Sequence, residues 1–245
     1  MASVGALEVV DDLRAARWLA EHIRTFAVDV GSLVPAVFAA YARVLHPARD
    51  GGESVRWAQI ARANRRTVHP EMQFTRLIGY RSRYSPGYPA KQSGVFDEAP
   101  EVGTLPPDVA AWLARTLARH TATAGQCWFA VWDGHGCLDE AFQSRPTFQL
   151  PNRNYHLARG PVAAAAQSLG TTPGRHLSSN LWWPDDQSWC VATDIDLDST
   201  YVGGSEACIE EIIANSQLEA MPLGATAGIT ADSDILNPAF APDGF

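Results

Sequence analysis

The sequence predicts a single α+β domain in which a mixed or mainly antiparallel sheet is flanked by helices. With 245 residues, of which 46% are hydrophobic and 19% charged, the chain is long enough to bury a large core. Two stretches have the pattern of β-strands: the apolar run Cys127–Trp132 and the run 188–197, which is rich in β-formers. Three stretches repeat apolar residues at helical spacing, and we expect them to pack against the sheet as helices 11–26, 105–120 and 205–215.

The N-terminal half of the chain contains three predicted elements and one long connection. After the helix 11–26, residues 38–46 have features of both a helix and a strand. We favour a strand that is stopped by Pro47, because side chains of different character alternate along it. A second helix is predicted over 54–64. The stretch 80–107 is rich in Ser, Pro, Gly and Tyr and has no periodicity, which predicts a long irregular connection of the kind that often carries function.

In the C-terminal half, the helix 105–120 is the most clearly marked one, because two prolines precede a run with apolar residues on one face. Residues 148–158 have an extended pattern, and 162–169 predict a short Ala-rich helix. The last part of the sequence is small, polar and acidic. We therefore assign 1–223 to the domain and 224–245 to an acidic tail that is either flexible or strapped to the surface.

The stretch NLWWPDDQSWCVATDIDLDSTYVGGS, residues 180–205, contains the densest aromatic cluster of the chain. An apolar run, a group of turn residues and the run 188–197 follow one another and predict a β-hairpin. The extended pattern ends at two glycines. Ser205 comes next and is a favourable N-cap for the helix 205–215.

Three aspartates alternate along the second strand of this hairpin. Asp194, Asp196 and Asp198 share one face at a spacing of ~6.6 Å, because residues on one face are two positions apart at ~3.3 Å each. Their repulsion must be relieved by water, arginine, a metal ion or a raised pKa. One interpretation is a divalent-cation site with carboxylate ligands, to which Asp133 is a further candidate ligand. The other is a solvated strand face that arginines neutralise.

The tryptophans of the hairpin also have two interpretations. Trp182, Trp183 and Trp189 are efficient core residues if the hairpin packs onto helices. Alternatively, they line a partly exposed groove in which aromatic rings, aspartates and an arginine bind a ligand or a partner. Arg153 and Arg159 are the arginines that we expect beside the aspartates.

Two short motifs resemble parts of known enzyme families. The run WFAVWDGHG, residues 128–136, resembles the strand and Asp-Gly-His-Gly turn of metal-dependent Ser/Thr phosphatases, a resemblance that implies a metal ligand at Asp133. The run IDLDST, residues 195–200, resembles the nucleophile loop of haloacid dehalogenases, which implies a nucleophile at Asp196 and an acid/base at Asp198. The other motifs of both families are missing from the sequence.

A third resemblance covers most of the chain outside the tail. The stretch 180–205, together with 41–47 and 127–134, is similar to a group of uncharacterised proteins from high-GC bacteria of the actinobacterial type. This resemblance implies no activity and no site residue.

Composition restricts the classes of partner. A formal net charge of −8 argues against general nucleic-acid binding and suits a basic partner or plain solubility. No apolar run approaches ~18 residues, and the acidic N-terminal stretch does not have the order of a signal peptide, so we expect no membrane association. The four cysteines form no Cys-x-x-Cys pair and are predicted to be reduced packing residues of a cytoplasmic protein.

The leading functional prediction is a cytoplasmic, non-enzymatic binding protein that uses the aspartates and the nearby aromatic rings against an unknown protein or small-molecule partner. An acidic protein that neutralises a basic partner, as toxin-immunity proteins do, is one version of it. The alternative is a metal-dependent hydrolase of the phosphoester type. That alternative requires Asp133 and the three aspartates 194, 196 and 198 to converge in one concave pocket. The sequence identifies no cofactor and leaves the oligomeric state open.

Overall fold

Twelve strands and five α-helices form the regular structure of residues 2–239, the part of the chain that the computed structural model describes. The strands are β1 (Ser3–Val4), β2 (Leu7–Val10), β3 (Ala40–Leu45), β4 (Ala48–Asp50), β5 (Glu53–Val55), β6 (Cys127–Trp132), β7 (Phe148–Leu150), β8 (Arg153–Gly160), β9 (Leu181–Pro184), β10 (Cys190–Ala192), β11 (Ser199–Gly204) and β12 (Ala220–Leu223). The helices are α1 (Arg17–His22), α2 (Trp57–Ala63), α3 (Phe74–Leu77), α4 (Pro107–Leu117) and α5 (Glu206–Ala214).

Most strands belong to one antiparallel sheet, which confirms the predicted α+β class with a mainly antiparallel sheet. The strand order is β1-β2-β8-β6-β9-β10-β11-β3-β12, and β7 also pairs with β8. Strands β4 and β5 form a separate hairpin. The predicted hairpin is present as β9 and β10, with Val191 opposite Trp182.

Both faces of the sheet are covered, so the strands near its centre are buried on both sides. Helices α4 and α5 lie on one face, over side chains such as Phe129 and Val191. Helix α1 and irregular segments lie on the other, over side chains such as Trp183 and Tyr201. A third cluster packs α2 and α3 against the end of β3. The domain therefore has a layered core, with the sheet as its middle layer.

Several predicted elements are confirmed. Residues 38–46 do contain a strand, β3, and the run Cys127–Trp132 is a central strand. Helix α4 continues into a 3₁₀ turn up to residue 120. Helix α5 begins after Ser205, whose hydroxyl accepts a hydrogen bond from the amide of Cys208 at 3.2 Å. The stretch 80–107 is irregular up to the start of α4.

The first predicted helix is much shorter than expected. Instead of 11–26, a 3₁₀ turn at Arg14–Ala16 is followed by α1. The Asp12 carboxylate accepts a hydrogen bond from the amide of Arg14 at 3.0 Å, which favours a turn before the helix. At the other end Ile23 is extended. The chain leaves the helix there, and its residues Val30 and Gly31 donate hydrogen bonds to residues near the C-terminus.

Three further boundaries differ from the prediction. Helix α2 begins at Trp57 rather than 54, because the preceding residues pair as β5. The extended stretch 148–158 is two strands, β7 and β8, since Asn152 adopts a left-handed conformation between them. The Ala-rich stretch at 162–169 forms only a 3₁₀ helix, Val162–Ala166.

Residues 224–239 run along the opposite end of the sheet from β1. The amides of Val30 and Gly31 donate to the carbonyl oxygens of Ala227 and Ala225 at 3.1 and 2.7 Å. Further on, the buried Asp234 accepts a hydrogen bond from the amide of Gln73 at 3.0 Å. We call this stretch the C-terminal segment. The rest of the predicted tail, 240–245, lies outside the described residues.

Candidate ligand pocket

The three aspartates lie in a turn between β10 and β11, not on a strand face. The predicted strand 188–197 ends at Ala192, because the Asp194 carboxylate accepts a hydrogen bond from the amide of Asp196 at 3.1 Å. This is an Asx turn, in which the aspartate side chain accepts the backbone N–H that a neighbouring strand would otherwise bind. The amide of Leu197 also donates to the Asp194 carbonyl oxygen at 3.1 Å. The alternating row of carboxylates that the strand pattern predicts is therefore absent, and we call residues 193–198 the acidic turn.

Arg153 neutralises the first two aspartates. One guanidinium nitrogen, Nη2, contacts Asp196 at 3.1 Å and Asp194 at 3.5 Å. The guanidinium carbon lies 4.7 Å from the centre of the Phe26 ring and 5.4 Å from that of Trp132, within the range of cation–π attraction. These contacts fix the arginine head over the turn. The expectation that Arg153 accompanies the aspartates is confirmed.

Asp198 has a different environment. It is 9% exposed, and the nearest cationic group is Nη2 of Arg43 at 4.0 Å, which is too long for a hydrogen bond. Among the described residues, no side chain donates a hydrogen bond to its carboxylate. Burial raises the pKa of Asp198, while Arg43 and Arg83 oppose that increase. A buried carboxylate with this few donors has unused acceptor capacity.

The acidic turn forms one wall of a pocket of about 240 Å³. The other walls come from Ala27 and Leu33, from the start of α3, from the irregular stretch 80–107 and from the C-terminal segment. Polar or charged lining residues are Gln73, Thr75, Ser82, Arg83, Asp194, Asp196, Asp198 and Thr230, and the apolar ones are Ala27, Leu33, Leu197, Ile229 and Ala231. The pocket therefore combines opposite charges with an apolar surface, as small-molecule sites do.

Arg83 is the cation that the irregular stretch 80–107 contributes to the pocket lining. Its Nη2 donates to the carbonyl oxygen of Asp196 at 2.7 Å, which ties the irregular stretch to the acidic turn. Burial, and next the charge of Asp198, raise the pKa of Tyr88 to about 12, while Arg83 opposes this increase. Asp198 and Arg83 thus affect the pKa of the same phenol in opposite directions.

A buried polar network lies next to Asp198, outside the pocket lining. Arg43 donates to the Ser199 hydroxyl at 2.9 Å and to the Met72 carbonyl oxygen at 2.6 Å. His46 lies beside it, with Nε2 at 2.9 Å from the Thr200 hydroxyl and Nδ1 at 2.8 Å from the carbonyl oxygen of Glu101. Burial lowers the pKa of His46 to about 4 against the hydrogen bond to Glu101, and the charge of Arg43 lowers it further. His46 is therefore neutral at pH 7.

The tryptophans of the hairpin are core residues. Trp182 and Trp183 are 1% exposed and Trp189 is 0% exposed. Trp182 lies against Phe129 and, edge to face, against Trp189. Trp183 packs against Trp18 on the other face of the sheet. Of the two interpretations, the structure shows the core one, because the sheet is covered on both faces and leaves these rings no route to a ligand.

Two other predicted site residues lie away from the acidic turn. Arg159 pairs with Glu8 at 2.8 Å and lines a different groove, beside Trp128 and Asp185. Asp133 is exposed at the end of β6 and does not line the pocket. Among residues 2–239, no group of three or more His, Cys, Asp or Glu side chains is arranged to hold a metal ion. The predicted four-aspartate metal site is therefore not assembled.

Two candidate site residues, Arg43 and Arg83, were not predicted from the sequence. Arg43 carries a signal that was available, a charged residue in the middle of an apolar strand. Arg83 lies in a stretch without periodicity, so only its membership of a long irregular connection pointed to function. The C-terminal segment gave no sign that Ile229 and Thr230 would line a pocket.

Comparison of the chain with protein-family models, with curated proteins and with solved structures found no match. None of the helices in the described part of the chain combines the length and apolar character that crossing a bilayer requires.

Proposed function

We propose that the protein binds a small polar ligand in the pocket beside the acidic turn and carries out no chemistry on it. The observation that carries this proposal is Asp198. Its carboxylate lines the pocket, is about nine-tenths buried and receives no hydrogen bond from a side chain of the described residues. The Asp198 side chain keeps 12% of its surface exposed and lines the pocket, so a ligand with a suitable donor can replace solvent at this acceptor.

A small ligand suits the pocket better than a large basic partner does. Neutralising a basic surface requires several exposed carboxylates, but only Asp196 of the three has a largely exposed side chain, at 69%. Asp194 and Asp198 are buried, and Arg153 already contacts Asp194 and Asp196. The immunity-like version of the binding prediction is therefore not the one that we propose.

The hydrolase alternative has less support. A divalent cation needs several oxygen ligands within ~2.6 Å of one point. Two of the carboxylates in question share one arginine, and Asp133 is outside the pocket. We therefore propose binding in preference to metal-dependent hydrolysis.

The test is thermal unfolding of the purified protein in the presence of amino acids, sugars, polyamines and nucleosides at millimolar concentration. A ligand that binds the native state raises the midpoint as its concentration increases. We expect at least one compound to raise the midpoint of the wild type, and this shift to disappear in Asp198→Asn. The control is Asp50→Asn, an exposed aspartate at the end of β4, which should keep the full shift.

Two results would overturn the proposal. One is the absence of any saturable shift across the four classes of compound. The other is a shift that is equal in the wild type and in Asp198→Asn, because the ligand would then bind elsewhere. Circular dichroism of both variants establishes that any lost shift reflects the pocket and not loss of the fold.

A further inference from the structure

We infer that the ligand is a zwitterionic α-amino acid, with its ammonium group at Asp198 and its carboxylate at Arg83. This inference rests on the proposed function and assigns a ligand class to the same pocket. The two residues line the pocket together, yet no ion pair joins them among those of the described residues. A carboxylate and a guanidinium that line one pocket without forming an ion pair suit a ligand that carries both an ammonium group and a carboxylate.

The Asp198 end requires a compact cationic donor. Its carboxylate has about four acceptor sites, and its nearest cation, Arg43, lies at 4.0 Å. Arg43 is held back by its bonds to Ser199 and Met72, so it does not move to the carboxylate without breaking them. An ammonium group supplies three donors and a charge, and a charged hydrogen bond is roughly twice as strong as a neutral one.

The Arg83 end requires a carboxylate. A guanidinium has five N–H donors, and that of Arg83 makes one hydrogen bond among the described residues, to the Asp196 carbonyl oxygen. The remaining donors suit the two parallel hydrogen bonds that arginine forms with a carboxylate. The hydrogen bond to Asp196 fixes the guanidinium at the pocket wall and leaves its other N–H donors available for a ligand carboxylate.

The charges in and beside the pocket disfavour a ligand that carries charge of only one sign. Arg153 contacts Asp194 and Asp196, and Arg43 lies 4.0 Å from Asp198, so with Arg83 three guanidinium groups balance the three carboxylates. A ligand with only a positive charge leaves Arg83 unmatched, and one with only a negative charge faces Asp198. A zwitterion matches both and leaves the net charge of the pocket unchanged.

The apolar part of the lining accommodates an aliphatic side chain. Leu33, Leu197 and Ile229 lie on three different walls, from separate parts of the chain. A volume of about 240 Å³ is on the order of eight water molecules at ~30 Å³ each, which suits a ligand with about that many non-hydrogen atoms. Valine, leucine and isoleucine are within this range.

The test is calorimetric titration with L-valine, L-leucine and L-isoleucine and with two analogues of leucine. 3-Methylbutylamine lacks the carboxylate, and 4-methylpentanoate lacks the ammonium group. We expect at least one of the amino acids to bind, and both analogues of leucine to bind at least tenfold more weakly than leucine. Arg83→Gln should remove the preference for leucine over the amine, and Asp198→Asn the preference for leucine over the acid. The control Asp50→Asn should change neither preference.

The outcomes separate this inference from the proposed function. If the amine binds as tightly as leucine and Arg83→Gln has no effect, the amino-acid assignment is wrong. It is also wrong if the three amino acids fail to bind while a sugar, polyamine or nucleoside raises the unfolding midpoint in a manner that Asp198→Asn abolishes. In both cases the binding function stands. If no compound of any class binds, both proposals are overturned.

Discussion

Gly103 lies directly against the carbonyl oxygen of Ile195. A Cβ added to this glycine would be 2.4 Å from that oxygen, and its amide donates to the Leu197 carbonyl oxygen at 2.8 Å. Gly103 also has a φ of +77°, in the region that L side chains rarely adopt. The irregular stretch 80–107 thus approaches the backbone of the acidic turn at a point where only glycine fits.

Gly103→Ala should therefore distort the acidic turn. Both the clash and the positive φ oppose the native conformation, and we expect the free energy of unfolding to fall by about 3 kcal/mol. The control is Gly51→Ala, which has a φ of +57° but open space around the added Cβ, and which should cost only about 1 kcal/mol. Urea unfolding measures both. Equal losses in the two variants would show that contact with Ile195 has no energetic importance.

Arg153→Gln should destabilise the protein more than the loss of an ordinary surface ion pair. The substitution leaves the buried carboxylate of Asp194 without its cation, and we expect a loss of about 2 kcal/mol. Arg159→Gln removes the exposed pair with Glu8 and should cost less than about 0.5 kcal/mol. Denaturant unfolding of the two variants provides the comparison. The opposite order of losses would contradict the assigned role of Arg153.

The stability of the protein should depend on pH through His46. Its pKa is about 4 in the folded state and ~6.5 in an unfolded chain, so between these values the unfolded state binds more protons. The free energy of unfolding should therefore decrease as the pH falls from ~6.5 to about 4, by on the order of 3 kcal/mol from this residue. Above ~6.5 the contribution of His46 is constant.

The measurement is the slope of stability against pH in the wild type and in His46→Gln. The difference between the slopes isolates His46 from other histidines, such as His135 and His156, whose pKa values are also lowered by desolvation. The groups that face His46 are the Glu101 carbonyl, the Thr200 hydroxyl and the charge of Arg43. Identical slopes in the two proteins would refute this assignment.

Trp189→Phe should be costly despite its conservative chemistry. The indole Nε1 donates to the Leu117 carbonyl oxygen at 3.1 Å, and the ring is fully buried. Loss of that bond together with a small cavity should lower stability by about 2 kcal/mol. Trp112→Phe, at a half-buried position on α4, is the control and should cost less than about 1 kcal/mol. A similar effect at both positions would indicate that the Trp189 environment is loosely packed.

Local patterns were sufficient to predict much of the fold. The apolar run of β6, the proline start of α4 and the Ser205 cap of α5 each contain their own signal within a few residues. The class and the antiparallel hairpin follow from such signals. The end of β10 cannot be predicted from local signals, because a strand and an Asx turn compete for the same backbone amides near Asp194. Tertiary contacts with Arg153 and Arg83 favour the turn.

The pocket was less predictable than the fold. The three aspartates and Arg153 are predictable from sequence as candidates, since three carboxylates on one strand face require a partner that relieves their repulsion. Arg83 and the residues 229–231 were not, because they lie in irregular segments whose positions depend on long-range bonds such as that from Gln73 to Asp234. The expectation that Arg159 lies beside the aspartates was wrong, because the pairing of β8 with β2 places it next to Glu8.

The segments that form the pocket walls are translated at different times. The wall at 73–83 and the acidic turn precede the wall at 229–231, which the chain reaches last. Translation proceeds from the N-terminus at ~5–20 residues per second, so the turn emerges seconds before the pocket has its final side. A ligand that binds only the completed pocket can therefore protect a chain from proteases only after residues 229–231 have left the ribosome and folded against the other walls.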